Sequence, residues 1–235
     1  MKTMMKRMIF AVLAVFALTV NDARAEMPQT DVDLISQMTG ADNDKVLQAL
    51  GMFYDLHASE LAVQYADEQL TGAFFAVTRA QRNNAAAQKI AELQQAQKDK
   101  SAQRAALTQQ NQTLRVRLEE LSGVEFLDNL MVTPEAPLNA PAATASGVAS
   151  DLAKARSEAW TVLETAQKAL QEERLVLLDA QQRYSEGQKV PIGNHLRAMT
   201  AAELNFTKAV SAYRLLEAKI ATTTGKSIKD VLAGL

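Results

Sequence analysis

The sequence predicts an all-α protein that contains two long antiparallel helical hairpins, arranged as a coiled coil or four-helix bundle. Apolar residues recur three and four positions apart over long stretches, which is the spacing of one helix face. The 5 prolines all lie outside those stretches. Aromatic residues form only 5% of the chain, and alanine is the commonest residue, with leucine and glutamine also frequent, a composition typical of long helices rather than of β-sandwiches.

The first 25 residues have the three parts of a secretory signal peptide. A positively charged start is followed by the apolar residues 9–20, which only Thr19 interrupts, and by an A-x-A cleavage site, Ala23-Arg24-Ala25. The apolar run is too short to cross a membrane, because a span needs about 20 residues. We therefore expect residues 1–25 to be removed after Ala25, which leaves an exported, periplasmic chain that begins at Glu26.

The mature chain, residues 26–235, is mildly acidic. Removing the four basic residues and the one acidic residue of the signal peptide from totals of 25 and 27 leaves 21 and 26, a net charge of −5. This charge argues against a nucleic-acid partner. The chain has no cysteine, so it can form no disulfide and offers no cysteine for lipid attachment.

Two segments precede the middle of the chain. Residues 26–43 form an N-terminal lead-in, in which Thr30-Asp31 can cap a short helix that Gly40 ends. Residues 44–122 contain no proline and carry helical apolar spacing. They predict either one continuous helix of roughly 110 Å or a first hairpin that turns near Arg82-Asn83-Asn84.

An internal repeat favours the hairpin. A shift of 102 residues places Gly225 on Gly123 and Tyr184 on Arg82, and it aligns the closing segments KIATTTGKSIKDVL and RLEELSGVEFLDNL. Such correspondence indicates a duplicated unit. Between the two units, residues 123–150 form a linker rich in proline and alanine, and its three prolines exclude a helix there.

Residues 151–225 predict the second hairpin, and residues 226–235 follow it as a C-terminal tail. The first arm repeats a large side chain every seven positions, and the second arm carries a clean heptad. These positions are Leu163, Leu170, Leu177 and Tyr184 in the first arm, and Leu196, Met199, Glu203, Phe206, Val210, Tyr213, Glu217 and Ile220 in the second. The breakers Gly187, Pro191 and Gly193 lie between the arms and predict the turn.

The second hairpin also resembles the periplasmic α-hairpin of TolC-type outer-membrane efflux proteins. The matching residues are Arg183, Tyr184, Gly187, Leu196, Ala198, Leu204, Ala209, Leu216 and Thr224-Gly225. In that family one helix ends in an Arg-aromatic-x-x-Gly tip, and an Ala- and Leu-rich helix then returns to a Thr-Gly or Leu-Gly turn. The chain departs from the family at the tip, where Asn194 is nearest to the position of the usual acidic residue and where the longer loop includes Pro191.

The resemblance implies a TolC-like helical component of an efflux or secretion assembly, located in the periplasm or associated with the outer membrane. It implies docking of the tip residues on a periplasmic adaptor or an outer-membrane channel protein, with a homo-oligomer as a further option. Those tip residues are Arg183, Tyr184, Gly187, Pro191 and Asn194. The resemblance covers the periplasmic helices alone, because no segment alternates apolar and polar residues over the about 10 positions of a barrel strand.

The sequence predicts neither an enzyme nor a cofactor or metal site. His57 and His195 are the only histidines, and adjacent carboxylates on a helix point about 100° apart. No phosphate-binding loop, dinucleotide fingerprint or nucleophile–histidine–acid set occurs. A stand-alone periplasmic coiled-coil scaffold or binding protein with no transport role is therefore the alternative function.

The seam of the arm before residue 122 contains polar residues at heptad positions, namely Gln97, Lys100, Arg104 and Asn111. Polar residues at such positions lower stability and limit which partner fits. They predict an arm that faces solvent over much of its surface. A wet lumen or a partner helix is the other interpretation.

Overall fold

A computed structural model describes residues 30–124 and 150–235. The predicted signal peptide and nearly all of the predicted linker lie outside these ranges. The described residues are 87% helical and contain no strand, so the predicted all-α class is confirmed. The six helices are α1 Asp31–Gln37, α2 Asn43–Arg82, α3 Ala87–Ser122, α4 Ser150–Ser185, α5 Ile192–Thr223 and α6 Ile228–Ala233.

The first two helices begin at side-chain caps. The Thr30 hydroxyl accepts a hydrogen bond from the Asp33 backbone N–H at 3.1 Å, and the Asp33 carboxylate accepts one from the Thr30 N–H at 3.0 Å. This capping box fixes the start of α1. The Asp42 carboxylate accepts from the Lys45 N–H at 2.7 Å at the start of α2.

α2 and α3 pack along each other in opposite directions, and residues 83–86 join them. Glu60 of α2 pairs with Arg115 of α3 at 2.9 Å, and further along α2 Asp67 pairs with Arg104 at 2.8 Å. The residue number of the α3 partner falls as the residue number along α2 rises, so the two helices are antiparallel. Asn84, with φ +51°, allows the chain to reverse between the helices.

α4 and α5 form the second antiparallel pair, which residues 186–191 connect. Leu163 of α4 packs with Val210 and Tyr213 of α5, and the Tyr213 ring lies edge-to-face on Trp160 at 5.4 Å between centroids. The heptad leucines of α4 at positions 163, 170 and 177 are all buried. They face α5 because a sevenfold spacing keeps them on one helix face.

The four long helices lie side by side in the order α3, α2, α5, α4. α2 packs on α5, whereas α3 and α4 pack mainly on their own hairpin partners. This order differs from the expected four-helix bundle, in which each hairpin would bury its seam against the other. The polar heptad positions of α3 account for this order, because they give α3 little apolar surface to bury, and within α3 only Arg115 and Leu118 are buried. α3 therefore exposes most of its surface, as its polar seam predicted.

The main hydrophobic core lies at one end of the layer, which we call the base. It joins Leu34 of α1, Leu50 and Phe53 of α2, and Leu118 of α3 with residues of α5 and α6. α6 contributes the buried Ile228 and Leu232, with Ser227 as its N-cap. The predicted C-terminal tail thus contains a helix that belongs to the core.

Candidate docking site at the hairpin tips

The two turns of the hairpins, residues 83–86 and 186–191, lie at the same end of the layer, opposite the base. We call this end the tip end. The Thr200 hydroxyl of α5 donates a hydrogen bond to Glu68 of α2 at 2.9 Å, and the Arg197 guanidinium lies beside Gly72. These contacts show that α5 starts where α2 approaches its end. A partner that reaches one turn is therefore close to the other.

Gly187 ends α4 in a Schellman motif. Its N–H donates to the Tyr184 carbonyl at 3.0 Å, and the Gln188 N–H donates to the Arg183 carbonyl at 3.0 Å. The φ of Gly187 is +84°, a conformation that residues with a Cβ atom adopt only at a cost. The backbone of this tip is therefore fixed by its own hydrogen bonds.

Arg183 and Tyr184 project from this fixed turn. The Arg183 Nε donates to the Gln188 side chain at 3.0 Å, and a second guanidinium nitrogen lies 3.6 Å from Asp179. Tyr184 is 62% exposed, so its ring is open to a partner rather than packed in the seam. An exposed tyrosine at such a position offers both an apolar face and a hydroxyl group.

Pro191 and Asn194 lie at the start of α5. The helix begins at Ile192, so Asn194 belongs to its first turn and not to the loop in which the sequence pattern placed it. Pro191 occupies the N-cap position, and its carbonyl accepts a hydrogen bond from the Asn194 N–H at 2.8 Å. The Asn194 side-chain oxygen accepts a hydrogen bond from Arg197. The structure therefore places all five predicted tip residues within one turn and its flanking helix ends.

The tip end also carries positive charge. We take the tip end as residues 76–92 and 178–199. These two segments contain the last two turns of α2 and α4, the first turns of α3 and α5, and the loops between them. These two segments contain six basic and three acidic residues, a net charge of +3, whereas the mature chain has −5. The remainder of the mature chain therefore carries −8, and the charge is distributed unevenly along the layer.

Exposed apolar side chains concentrate in the half of the layer near the tip end. The larger ones in this half are Phe74, Phe75, Leu175, Val176, Leu178, Tyr184 and Leu196, whereas Val116 and Val162 lie in the half near the base. The sequence pattern did not single out most of these residues, because they fall outside the heptads. Seven of the nine large apolar side chains that are exposed among the described residues therefore lie in the half near the tip end.

An open groove runs between α4 and α5 on one side of the layer. Its volume is about 780 Å³, and seven alanines form much of its lining, together with threonines and the charged residues Glu173 and Lys208. The alanines are Ala166, Ala169, Ala198, Ala201, Ala202, Ala209 and Ala212. Small side chains of this kind leave room for another helix to approach closely.

The histidines lie apart from the tips or at their edge, and they do not come together. His57 is buried in α2, edge-to-face with Phe53 at 4.5 Å and 3.7 Å from Glu60, whereas His195 is half-buried near the start of α5. Among residues 30–124 and 150–235, no group of three or more histidine and carboxylate side chains is placed to hold a metal ion. Within the same ranges, no helix is long and apolar enough to cross a membrane.

Comparison with protein-family models finds no match, and comparisons with curated proteins and with solved structures find no significant match either. The likeness of the second hairpin to TolC-type proteins therefore stays a prediction from the residues of that hairpin.

Proposed function

We propose that the protein is a periplasmic, TolC-like helical component of an efflux or secretion assembly. In this function the tip end docks on a coiled-coil partner, which is either a periplasmic adaptor or an outer-membrane channel protein. The observation that carries the proposal is the tip itself: a rigid Gly187 turn presents the exposed Tyr184 beside Arg183. The motif on which the resemblance depends thus coincides with an accessible surface.

The side surfaces of the hairpins support a helical partner. The exposed apolar residues near the tips include Phe75, Leu175 and Leu178, which lie along helix sides rather than at the turns. A helix laid against these sides would cover them, as in helix-in-groove recognition. The alanine-lined groove between α4 and α5 gives a continuous surface of the same kind.

Export follows from the N-terminal segment. Cleavage after Ala25 would place Glu26 at the start of the mature protein, four residues before the Thr30 cap of α1. The measurement is the N-terminal sequence of the protein recovered from the periplasm. Recovery of the uncleaved chain in the membrane fraction would contradict this part of the proposal.

A photo-crosslinking experiment tests docking. A photoreactive amino acid is placed at Tyr184 in cells that produce the protein naturally, and a matched one replaces the exposed Val116 of α3, in the half near the base. We expect a crosslink from position 184 to an adaptor or a channel protein, and none of comparable yield from position 116. Equal crosslinking from both positions would contradict tip docking.

A second test of docking uses the substitution Tyr184→Ala. Because the ring is exposed, its removal changes little in the fold, so helix content should stay unchanged while partner binding falls. A scaffold or binding protein with no transport role is the alternative. That alternative predicts that Tyr184→Ala leaves every partner interaction intact.

A further inference from the structure

We propose that the partner surface received by the tip end is acidic: the end of a helical coiled-coil protein that presents carboxylates beside apolar side chains. This inference rests on the proposed docking function and specifies the chemistry of the partner. Three observations support it. More cations than carboxylates at the tip end lack a partner of opposite charge, Asn194 contacts one of these cations, and exposed apolar residues lie beside them.

Two of the three acidic residues of the tip end already pair with cations. Glu92 pairs with Lys89 at 3.2 Å, and Asp179 lies 3.6 Å from Arg183. Glu186 accepts a hydrogen bond from the Gln182 side chain at 3.0 Å. The Gln182 amide leaves the charge of Glu186 in place, so Glu186 is the one carboxylate of residues 76–92 and 178–199 that has no cation partner among the described residues.

Four cations remain without a carboxylate partner among the described residues: Arg79, Arg82, Lys189 and Arg197. Arg79 and Arg82 lie in the exposed last turn of α2, Lys189 lies in the second loop, and Arg197 lies on α5. Arg79 follows Gly72 by seven residues, so it lies on the α2 face that Arg197 covers at Gly72. Arg79 and Arg197 therefore share one side of the tip end.

Asn194 explains why the charge of Arg197 stays uncompensated. Its side-chain oxygen accepts a hydrogen bond from the Arg197 guanidinium, so the two groups are in direct contact. A carboxylate at this position would neutralise Arg197 in the same geometry. Because an amide stands there instead, the contact orients the guanidinium without removing its charge. The positive charge is thereby available to a carboxylate of a partner.

The apolar residues distinguish a helical protein from a flat anionic membrane. Phe75 lies seven residues before the end of α2, which is about 10 Å along the helix, and Leu175 lies ten residues before the end of α4, about 15 Å. A flat surface that touches the turns would not cover these side chains. A helix that continues along the sides of the hairpins would cover them while its acidic end meets the cations.

The experiment compares two synthetic coiled-coil peptides that differ only in the charge of their flanking positions, one with glutamate and one with lysine. Binding to the full mature chain is measured at about 0.05 M and about 0.5 M salt, because screening weakens exposed charge pairs. We expect the glutamate peptide to bind at least about tenfold more tightly at low salt, and the preference to shrink at high salt. Equal affinity for the two peptides, or no binding of either, would overturn the proposal.

Two variants locate the effect. Asn194→Asp places a carboxylate on Arg197 in the first turn of α5, where an acidic residue favours the helix, so the fold is retained. It should weaken glutamate-peptide binding about threefold. Arg79→Gln/Arg82→Gln/Lys189→Gln should abolish the preference, whereas the matched control Lys154→Gln/Lys226→Gln/Lys229→Gln near the base should preserve it. Loss of the preference in the control alone would overturn the proposal.

Two further experiments test the other binding partners that this surface could have. Co-sedimentation with vesicles of phosphatidylglycerol and phosphatidylcholine tests a lipid surface, and sedimentation velocity over a concentration series tests a second copy of the chain. Binding to the vesicles, or self-association, that the triple glutamine variant at the tip end abolishes would overturn the acidic-protein proposal. A tip crosslink in cells without any charge preference would leave the docking function intact and refute only this inference.

Discussion

Arg214 of α5 and Asp31 of α1 form a buried ion pair that ties both short helices to the long ones. One guanidinium nitrogen donates to Asp31 Oδ1 at 2.8 Å and to the Leu232 carbonyl of α6 at 3.1 Å, and Nε donates to Asp31 Oδ2. The Tyr54 hydroxyl of α2 also donates to Asp31. Both charged side chains are 5% exposed, so neither has water as an alternative partner.

Asp31→Asn should destabilise the protein by about 3–5 kcal/mol, because it leaves the buried Arg214 charge uncompensated. The measurement is urea unfolding followed by circular dichroism. Asp67→Asn is the matched control, since Asp67 pairs with Arg104 at 2.8 Å while the two side chains are 48% and 44% exposed. It should cost less than about 1 kcal/mol. Equal losses in the two variants would contradict the role given to burial.

Tyr213 lies next to a second ion pair, in which the half-buried Arg156 of α4 donates to both carboxylate oxygens of the buried Glu217. Its ring is fully buried and stacks edge-to-face on Trp160. Burial raises the pKa of Tyr213 to about 12, and the negative charge of Glu217 adds to the rise. Burial also raises the pKa of Tyr54 well above its usual value, with Asp31 contributing.

Alkaline pH should therefore destabilise the fold. An unfolded tyrosine has a pKa of about 10, so the unfolded chain loses this proton first, and Tyr213 contributes full stability below that pH. The contribution, up to about 3 kcal/mol, is lost as pH rises from about 10 to about 12. Urea unfolding at about pH 9 and about pH 11.5 measures it. Tyr213→Phe should show a smaller difference than the parent, and an unchanged difference would refute the assignment to Tyr213.

The two glycines of the second tip should respond oppositely to alanine. Gly187 has φ +84°, so Gly187→Ala should cost about 1–2 kcal/mol through the left-handed backbone conformation. Gly193 lies in the first turn of α5, where an added Cβ atom would meet only Arg197, at 3.7 Å. Gly193→Ala should therefore be neutral or stabilising by up to about 1 kcal/mol. Thermal unfolding of both variants measures the difference, and a loss of equal size in both would contradict it.

The sequence predicted what depends on local periodicity. Leu163, Leu170 and Leu177 are seven residues apart and are all buried against α5, because helix geometry alone places them on one face. The all-α class follows from the same regularity. Gly187, which the sequence marks as a breaker between the two arms, ends α4 with a φ of +84°.

Contacts between distant residues could not be predicted in the same way. Asp31 and Arg214 are 183 positions apart, and neither residue type nor spacing indicates that they meet. The helix of residues 228–233 is too short to show an apolar period, so its place in the core depends on tertiary packing. The side-by-side helix order likewise depends on which faces pack, because alanine-rich faces fit many neighbours.

Leu177 and Leu178 are adjacent in α4 but differ in environment. Substitutions at the two positions therefore test stability and partner docking separately. Leu177 is 7% exposed and Leu178 is 60% exposed. Leu177→Ala should destabilise the protein by about 2–5 kcal/mol, because it removes buried methyl groups and leaves a cavity. Leu178→Ala should change stability by less than about 0.5 kcal/mol, since its side chain is already in solvent.

If a partner helix packs on the sides of the hairpins, the exposed Leu178 should matter for partner binding, whereas the buried Leu177 should not. Leu178→Ala would remove a side chain that the partner covers, so the crosslink from position 184 should decrease. A variant of Leu177 that preserves packing, Leu177→Met, should leave the crosslink unchanged, because volume-conserving substitutions cost less than about 1.5 kcal/mol. A crosslink that Leu178→Ala leaves unaltered would restrict docking to the turns, since the exposed leucine would then contribute neither to the fold nor to the partner.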